Sequence, residues 1–266
     1  MSNGTFDLNW GRALANRLDP LVKTAIHTVR ADPTLIPIVP GNSRYERFVE
    51  IYRRVPGPPL GIVHENVPTV KISARFTIQQ TDLGNEALIS DWVSMQARQL
   101  ALAEDTIILY GAAAGLNALN INDDDGTLNN QDGLFQQAPP QLPHHHSVDG
   151  SILWGIQSLR NRGQYGPYCV IVSPTLHTAA ETPIPNSGIS RIAPILPQLR
   201  KEGFRFSEAL QGRSGVIFSV GGAAITLKIT WDAHVECLNV DGDATFAVVQ
   251  QFRLQINDQR ATFALT

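Results

Sequence analysis

The sequence predicts an α+β fold, and three observations carry that prediction. The first is one long helical stretch from Glu86 to Gly115. Its apolar residues Ile89, Trp92, Val93, Leu100, Ala103, Ile107 and Leu109 fall near three-four spacing, with Gln96 as the exception. The second is an alternating stretch between Arg44 and Ile78 that reads as two long strands. The third is the C-terminal third, where β-type runs alternate with glycine turns. A helical spine thus stands beside a chain that ends mainly in strand.

Composition bounds what such a chain does. At 266 residues, with 43% hydrophobic and 17% charged residues, it can bury a sizeable core in one large or two medium domains. The formal net charge is −3 and basic residues are not gathered into a run, so no nucleic-acid partner is expected. The longest apolar run is too short to span a bilayer, so no membrane partner is expected either. The opening MSNGTFDLNWGR lacks the basic head, apolar middle and cleavage site of a signal peptide, and the expected location is cytoplasmic. Cys169 and Cys237 sit in apolar strand-like runs outside any ligand spacing, which predicts buried reduced thiols.

The elements follow in chain order. Leu8 to Arg30 has a helical apolar face broken at Asp19-Pro20, which predicts two short helices, the second opened by the proline. DPTLIPIVPG, with three prolines, reads as an extended strap that pairs at most at a sheet edge. Arg44–Tyr52 and Val67–Ile78 alternate as strands around the turn-rich VPGPPLG and predict one long two-stranded arm. Such a ribbon is marginal in water by itself and must lean on something else. For the spine, Asn85 is the expected N-cap and Gly111 the expected stop. The adjacent acids Glu104 and Asp105 point to different faces, one solvated and one paired or capping.

Asn120 to Gly150 reads as a loop, Ser147–Asn161 as an amphipathic helix and Gly166–Pro174 as a buried strand. Thr175–Ala180 predicts a short helix, and Ile189–Lys201 another interrupted by Pro194 and Pro197. The runs GVIFSV, AAITLKITW, HVECLNV, ATFAVVQQFRLQI and RATFAL predict the closing strands.

The search for chemistry is negative. Asp123, Asp124 and Asp125 lack the alternate acids, glycine and distant Glu of a calcium loop. His144, His145 and His146 are consecutive and cannot all face one ion without strain. His27 has no second ligand three or four residues away. Neither Ser214 nor Ser219 stands in a nucleophile elbow, and Gly221-Gly222 is too short to cradle a phosphate. No enzyme activity, metal or cofactor is expected.

The order of elements, with the segments Val70–Ile78, LALAEDTIILYGAAAGLNAL from Leu100 to Leu119, Gly166-Pro167-Tyr168, FSVGGAAITLKIT and the final strand pair, resembles the encapsulin family. The most specific block is Ala103-Glu104-Asp105 followed by an apolar turn and Gly111. The resemblance implies the Hong Kong-type tailed-phage capsid fold, with a peripheral domain, an apical domain and an extended loop. On this chain that gives N-terminal helices and strap at 1–43, the extended loop at 44–78, the spine at 79–119, a mainly apical domain at 120–225 and strands returning to the peripheral domain at 226–266. It also implies self-assembly into a closed icosahedral shell of on the order of sixty copies or a multiple. The shell would enclose a ferritin-like or peroxidase cargo protein, held through a terminal targeting peptide. By position, Leu14, Leu18, Leu21, Trp231 and Ala233 would bind that peptide. Gln80 stands where many members carry an aromatic residue linked to flavin, so no flavin is expected. The Asp123–Gly126 turn is a candidate pore lining that draws cations. The alternative within the fold is a phage or prophage major capsid protein that packages nucleic acid.

Overall fold

The computed structural model describes residues 7–30, 35–41, 47–55, 61–137 and 147–265. The histidine run 144–146, the ribbon turn at 56–60, and the residues opening the strap and the first arm strand lie outside these.

Asp7 opens α1 (Leu8–Val29) by accepting the Trp10 N–H on its side chain at 2.8 Å. The sequence predicts two helices here, but the structure has one, with Pro20 inside it. A mid-helix proline removes a backbone bond. That loss is outweighed by one continuous buried stripe of Leu14, Leu18, Val22, Ala25 and Ile26. The strap leads into β1 (Ile38–Pro40), a three-residue edge strand, as its prolines require.

Among the described residues, β2 (Phe48–Val55) and β3 (Gly61–Pro68) pair only with each other, in register from Phe48↔Pro68 to Val55↔Gly61. The predicted arm is thereby corrected. Its second strand is β3, while β4 (Val70–Ile78) leaves the ribbon and pairs with a C-terminal strand. The cause is hydrophobic, because Val70, Ile72, Ala74, Phe76 and Ile78 are all buried and a ribbon offers no core to receive such a row.

The spine is α2 (Glu86–Tyr110), capped by the Asn85 side chain, which accepts the Leu88 N–H at 3.2 Å. Gly111 ends it at φ 55°, where a Cβ would lie 2.4 Å from the Gln131 carbonyl oxygen. Its stripe is rotated relative to the predicted one: Gln96 is buried and Trp92 is 40% exposed. The polar loop then contributes β5 (Asn122–Asp123) and α3 (Leu134–Gln137).

Ser147 caps α4 (Val148–Asn161), which is followed by β6 (Tyr168–Val172) and α5 (Pro174–Glu181). The predicted third helix is absent. Pro194 and Pro197 deny donors to an α-helix, so turns and one 3₁₀ turn at Leu196–Gln198 lead into β7 (Leu199–Phe206). β8 (Gly215–Ser219), β9 (Ile225–Asp241), β10 (Asp243–Ile256) and β11 (Thr262–Leu265) complete the chain. β9 is one strand of 17 residues where the sequence reads two.

Two sheets carry the core. The first, in the order β1-β9-β10-β4-β5, is covered on one face by α1 and α2. The second, β11-β8-β6-β7, is mixed and buried on both faces. Cys169, Ile171, Val216 and Phe218 turn toward the α1–α2 core, and Val170, Val172, Ile217 and Phe263 toward α4 and α5. That explains the unbroken apolar run of β6. β11 pairs with β8 in the second sheet.

Candidate assembly surfaces

Two adjacent acids tie the spine to the rest of the subunit. The sequence expects one of them in water, yet Glu104 and Asp105 are 0% and 3% exposed. Glu104 faces the buried Arg30 guanidinium at the end of α1 and accepts Gln250 Nε2 of β10 at 2.9 Å. Asp105 accepts the Ser207 hydroxyl, just past β7, at 2.7 Å. One helix turn therefore holds α1, the first sheet and the second-sheet region together through charge-assisted bonds. Beside it lies a cleft of about 370 Å³, with Val29, Leu102, Phe204 and Phe206 as apolar lining and His27 and Glu208 among its polar residues.

The face of the first sheet turned away from α1 and α2 is polar and self-paired. Alternation along β4 puts Lys71, Ser73 and Arg75 on it. Asp124 accepts from Ser73 at 2.8 Å and Arg75 at 2.7 Å, and Lys71 Nζ sits 5.5 Å above the Trp231 ring. Trp231 stacks on His234 at 4.1 Å, and His234 Nε2 lies 3.4 Å from Glu236. That hydrogen bond holds the Glu236 carboxyl below its ordinary pKa. In the Asp123–Gly126 turn, Asp123 accepts the Thr127 and Leu128 N–H groups, Asp124 pairs with Arg75, and Asp125 is exposed. Among the described residues no group of three His, Cys, Asp or Glu side chains could hold a metal ion. No described helix is long and apolar enough to cross a membrane.

The five residues carried over for peptide binding are divided by the fold. Leu14, Leu18 and Ala233 meet inside the α1–β9 interface and are 2%, 4% and 2% exposed. Leu21 is exposed on α1, and Trp231 belongs to the opposite face of the sheet. The sequence signal was a helical leucine row, and that row serves the core first. Near Leu21, Lys23 Nζ approaches Asp232 to 4.0 Å, and the Asp19 side chain accepts the Val235 N–H at 2.8 Å. Both cysteines are free. Burial pushes the Cys169 thiol up to about 12, while Cys237 is only half-buried.

Large apolar side chains remain exposed in separate places: Phe48 at the foot of the ribbon, Ile38 and Val39 on the edge strand, Trp92 and Met95 one turn apart on α2, and Tyr165 and Ile189 around the second sheet.

The comparisons with known proteins agree with this picture. The family described as "Encapsulating protein for peroxidase" matches residues 62–252, more than two-thirds of the chain. The type 1 encapsulin shell protein EncA of Myxococcus xanthus (strain DK1622) is 32% identical over 116 residues, a match covering 43% of this chain and 40% of that protein. Among solved structures, the virus-like particle from Pyrococcus furiosus superimposes with a TM-score of 0.74 at 13% identity, covering 94% of this chain and 98% of that one. The capsid of Myoviridae phage XM1 gives 0.57 at 14% identity, covering 87% and 89%, and Gordonia phage Cozz gives 0.58 at 12%, covering 87% and 84%. The architecture is therefore the Hong Kong-type capsid fold of tailed phages. Within that class the chain belongs to the encapsulin family, the encapsulating proteins matched along residues 62–252.

Proposed function

We propose that this chain is the self-assembling subunit of a closed, many-copy protein shell that encloses cargo proteins. The family match carries the reading, and the ribbon supports it. Among the described residues, strands β2 and β3 pair with no other strand, although a two-stranded sheet is marginal in water unless it is covered. A neighbouring copy supplies that cover in a shell closed by heterologous contacts, with on the order of sixty subunits or a multiple. The role is structural rather than enzymatic, and the cargo enters with the shell in the cytoplasm. The cargo, a ferritin-like protein or peroxidase, docks through a terminal peptide near the exposed part of the α1–β9 seam, at Leu21 and the Lys23–Asp232 pair. Leu14, Leu18 and Ala233 support that seam from beneath. A phage capsid would share the fold, but the family match and the net charge of −3 favour protein cargo over nucleic acid.

Negative-stain microscopy and light scattering on the purified chain test the reading. Uniform hollow particles are expected, and a monodisperse monomer or dimer at all concentrations overturns it. For the docking seam, Leu21→Asp is expected to abolish co-purification of a fused cargo peptide while particles still form.

A further inference from the structure

The C-terminal half of β10 alternates Phe252, Leu254 and Ile256, which are buried in the core, with Gln251, Arg253 and Gln255 on the opposite face. Polar residues on an outer sheet face are ordinarily wet, yet Gln251 and Arg253 are 4% and 2% exposed. The root of the ribbon covers them. Arg253 Nη1 donates to the Pro68 carbonyl at the end of β3, at 3.2 Å. Gln251 Nε2 donates to the Thr69 hydroxyl, in the one-residue link between β3 and β4. Gln255 Nε2 donates to the Glu50 carbonyl of β2 at 3.3 Å, and its own oxygen accepts the Thr226 hydroxyl at 3.0 Å. From the other strand, the Arg47 carbonyl accepts both the N–H and the hydroxyl of Thr69, at 2.8 and 3.2 Å. Val49, near the start of β2, is wholly buried.

Three consecutive outward side chains of one strand are thus directed at the foot of the ribbon. Apolar side chains would cover this spot without desolvating a guanidinium, but apolar contact is non-directional and lets a ribbon pivot. Hydrogen bonds to backbone carbonyls fix an angle. That angle matters because the ribbon is a lever. Its eight-residue strands extend about 26 Å, so a tilt of about 10° at the root moves the tip by about 4–5 Å, close to one strand spacing.

We propose that Gln251, Arg253 and Gln255 form a clamp that sets the direction in which the ribbon leaves the subunit, and so the geometry with which it meets the next copy. They are positioning residues for assembly, and the proposal rests on the shell reading above. The test uses the full chain with Gln255→Ala, Arg253→Gln and Arg253→Lys. It reads circular dichroism for the fold, light scattering for the concentration at which particles form, and microscopy for their diameters. Gln255→Ala and Arg253→Gln are expected to keep the native spectrum, to raise the assembly threshold roughly five- to tenfold and to broaden the diameter distribution. Arg253→Lys, which keeps a cationic donor for the Pro68 carbonyl, is expected to restore the wild-type diameter. Folded Gln255→Ala subunits that give wild-type particles at the wild-type threshold overturn the clamp alone. An unsubstituted chain that forms no particles overturns the shell reading and the clamp with it. Should Arg253→Gln fail to fold, Gln255→Ala, at a half-buried position, decides between the same outcomes.

Discussion

Arg30 and Glu104 face each other with side chains only 7% and 0% exposed, where the end of α1, α2 and β10 meet. An interior ion pair of this kind adds little net stability, because both charges have lost their water, but removing one partner strands the other. Arg30→Met is therefore expected to lower subunit stability by about 3–5 kcal/mol. Arg30→Met with Glu104→Gln should recover part of the loss, since neither position of the pair then carries a charge. Urea unfolding followed by circular dichroism checks both. Asp258 makes a different prediction. It accepts Gln164 Nε2 at 2.8 Å and is gripped by Arg260 at 2.8 and 3.0 Å. Burial pushes its carboxyl up, but the Arg260 bonds and charge, with help from Gln164, outweigh this and hold it below the ordinary value. A lowered folded pKa means that the ionised form binds the fold more tightly. Its contribution is complete above the unfolded pKa of about 3.9 and fades as pH falls through the lower folded value. Asp258→Asn should cost about 1–2 kcal/mol at neutral pH, and the gap to the parent chain should close below about pH 4.

At the scale of elements, the disagreements over α1 and the arm share one cause: tertiary burial overrode a local signal. Pro20 reads as a helix break, yet the Leu14–Leu18–Val22 stripe lies against β9 along its whole length and keeps one helix. Pro20→Ala restores a backbone donor at an exposed position. It should stabilise the subunit by about 1–2 kcal/mol, the helix penalty of proline less its restriction of the unfolded chain. A rise in urea midpoint checks this, and a fall would show that Pro20 serves the seam with β9. The alternation of Val70–Ile78 was legible, but a strand's period does not name its partner. Only the pairing with β10 distinguishes a ribbon strand from a core strand. Asn85 and Gly111 were legible because capping is local chemistry. The candidate peptide site was legible only in part, because a leucine row looks alike whether it faces a core or a ligand. In this chain Leu14 and Leu18 face the core, and Leu21 alone faces out. The buried state of Glu104 and Asp105 was hidden for a related reason, since their partners Arg30, Gln250 and Ser207 lie 74, 146 and 102 residues away or come from another element.

For the whole molecule, the central distinction is between what folds the subunit and what joins subunits. Among the residues whose side chains are described, the two hydrophobic clusters are drawn mainly from α1, α2, α4, α5 and the two larger sheets, and neither takes one from β2 or β3. Shortening the ribbon is therefore expected to leave the core in place. Removing residues 54–62 and joining Arg53 to Val63 through an Asn-Gly turn preserves the rungs from Phe48↔Pro68 to Arg53↔Val63 and the whole clamp at the root. The unfolding midpoint of the dilute subunit should then stay within the range of an ordinary surface change, about 0.5 kcal/mol. The assembly threshold should rise at least about a hundredfold, equivalent to about 2.8 kcal/mol for each subunit. Light scattering across a concentration series measures the threshold, and denaturant titration below it measures the midpoint. If stability falls and assembly is unchanged, the ribbon is a folding element of its own subunit. If stability holds and particles disappear, the ribbon's stabilising partner is another copy of the chain.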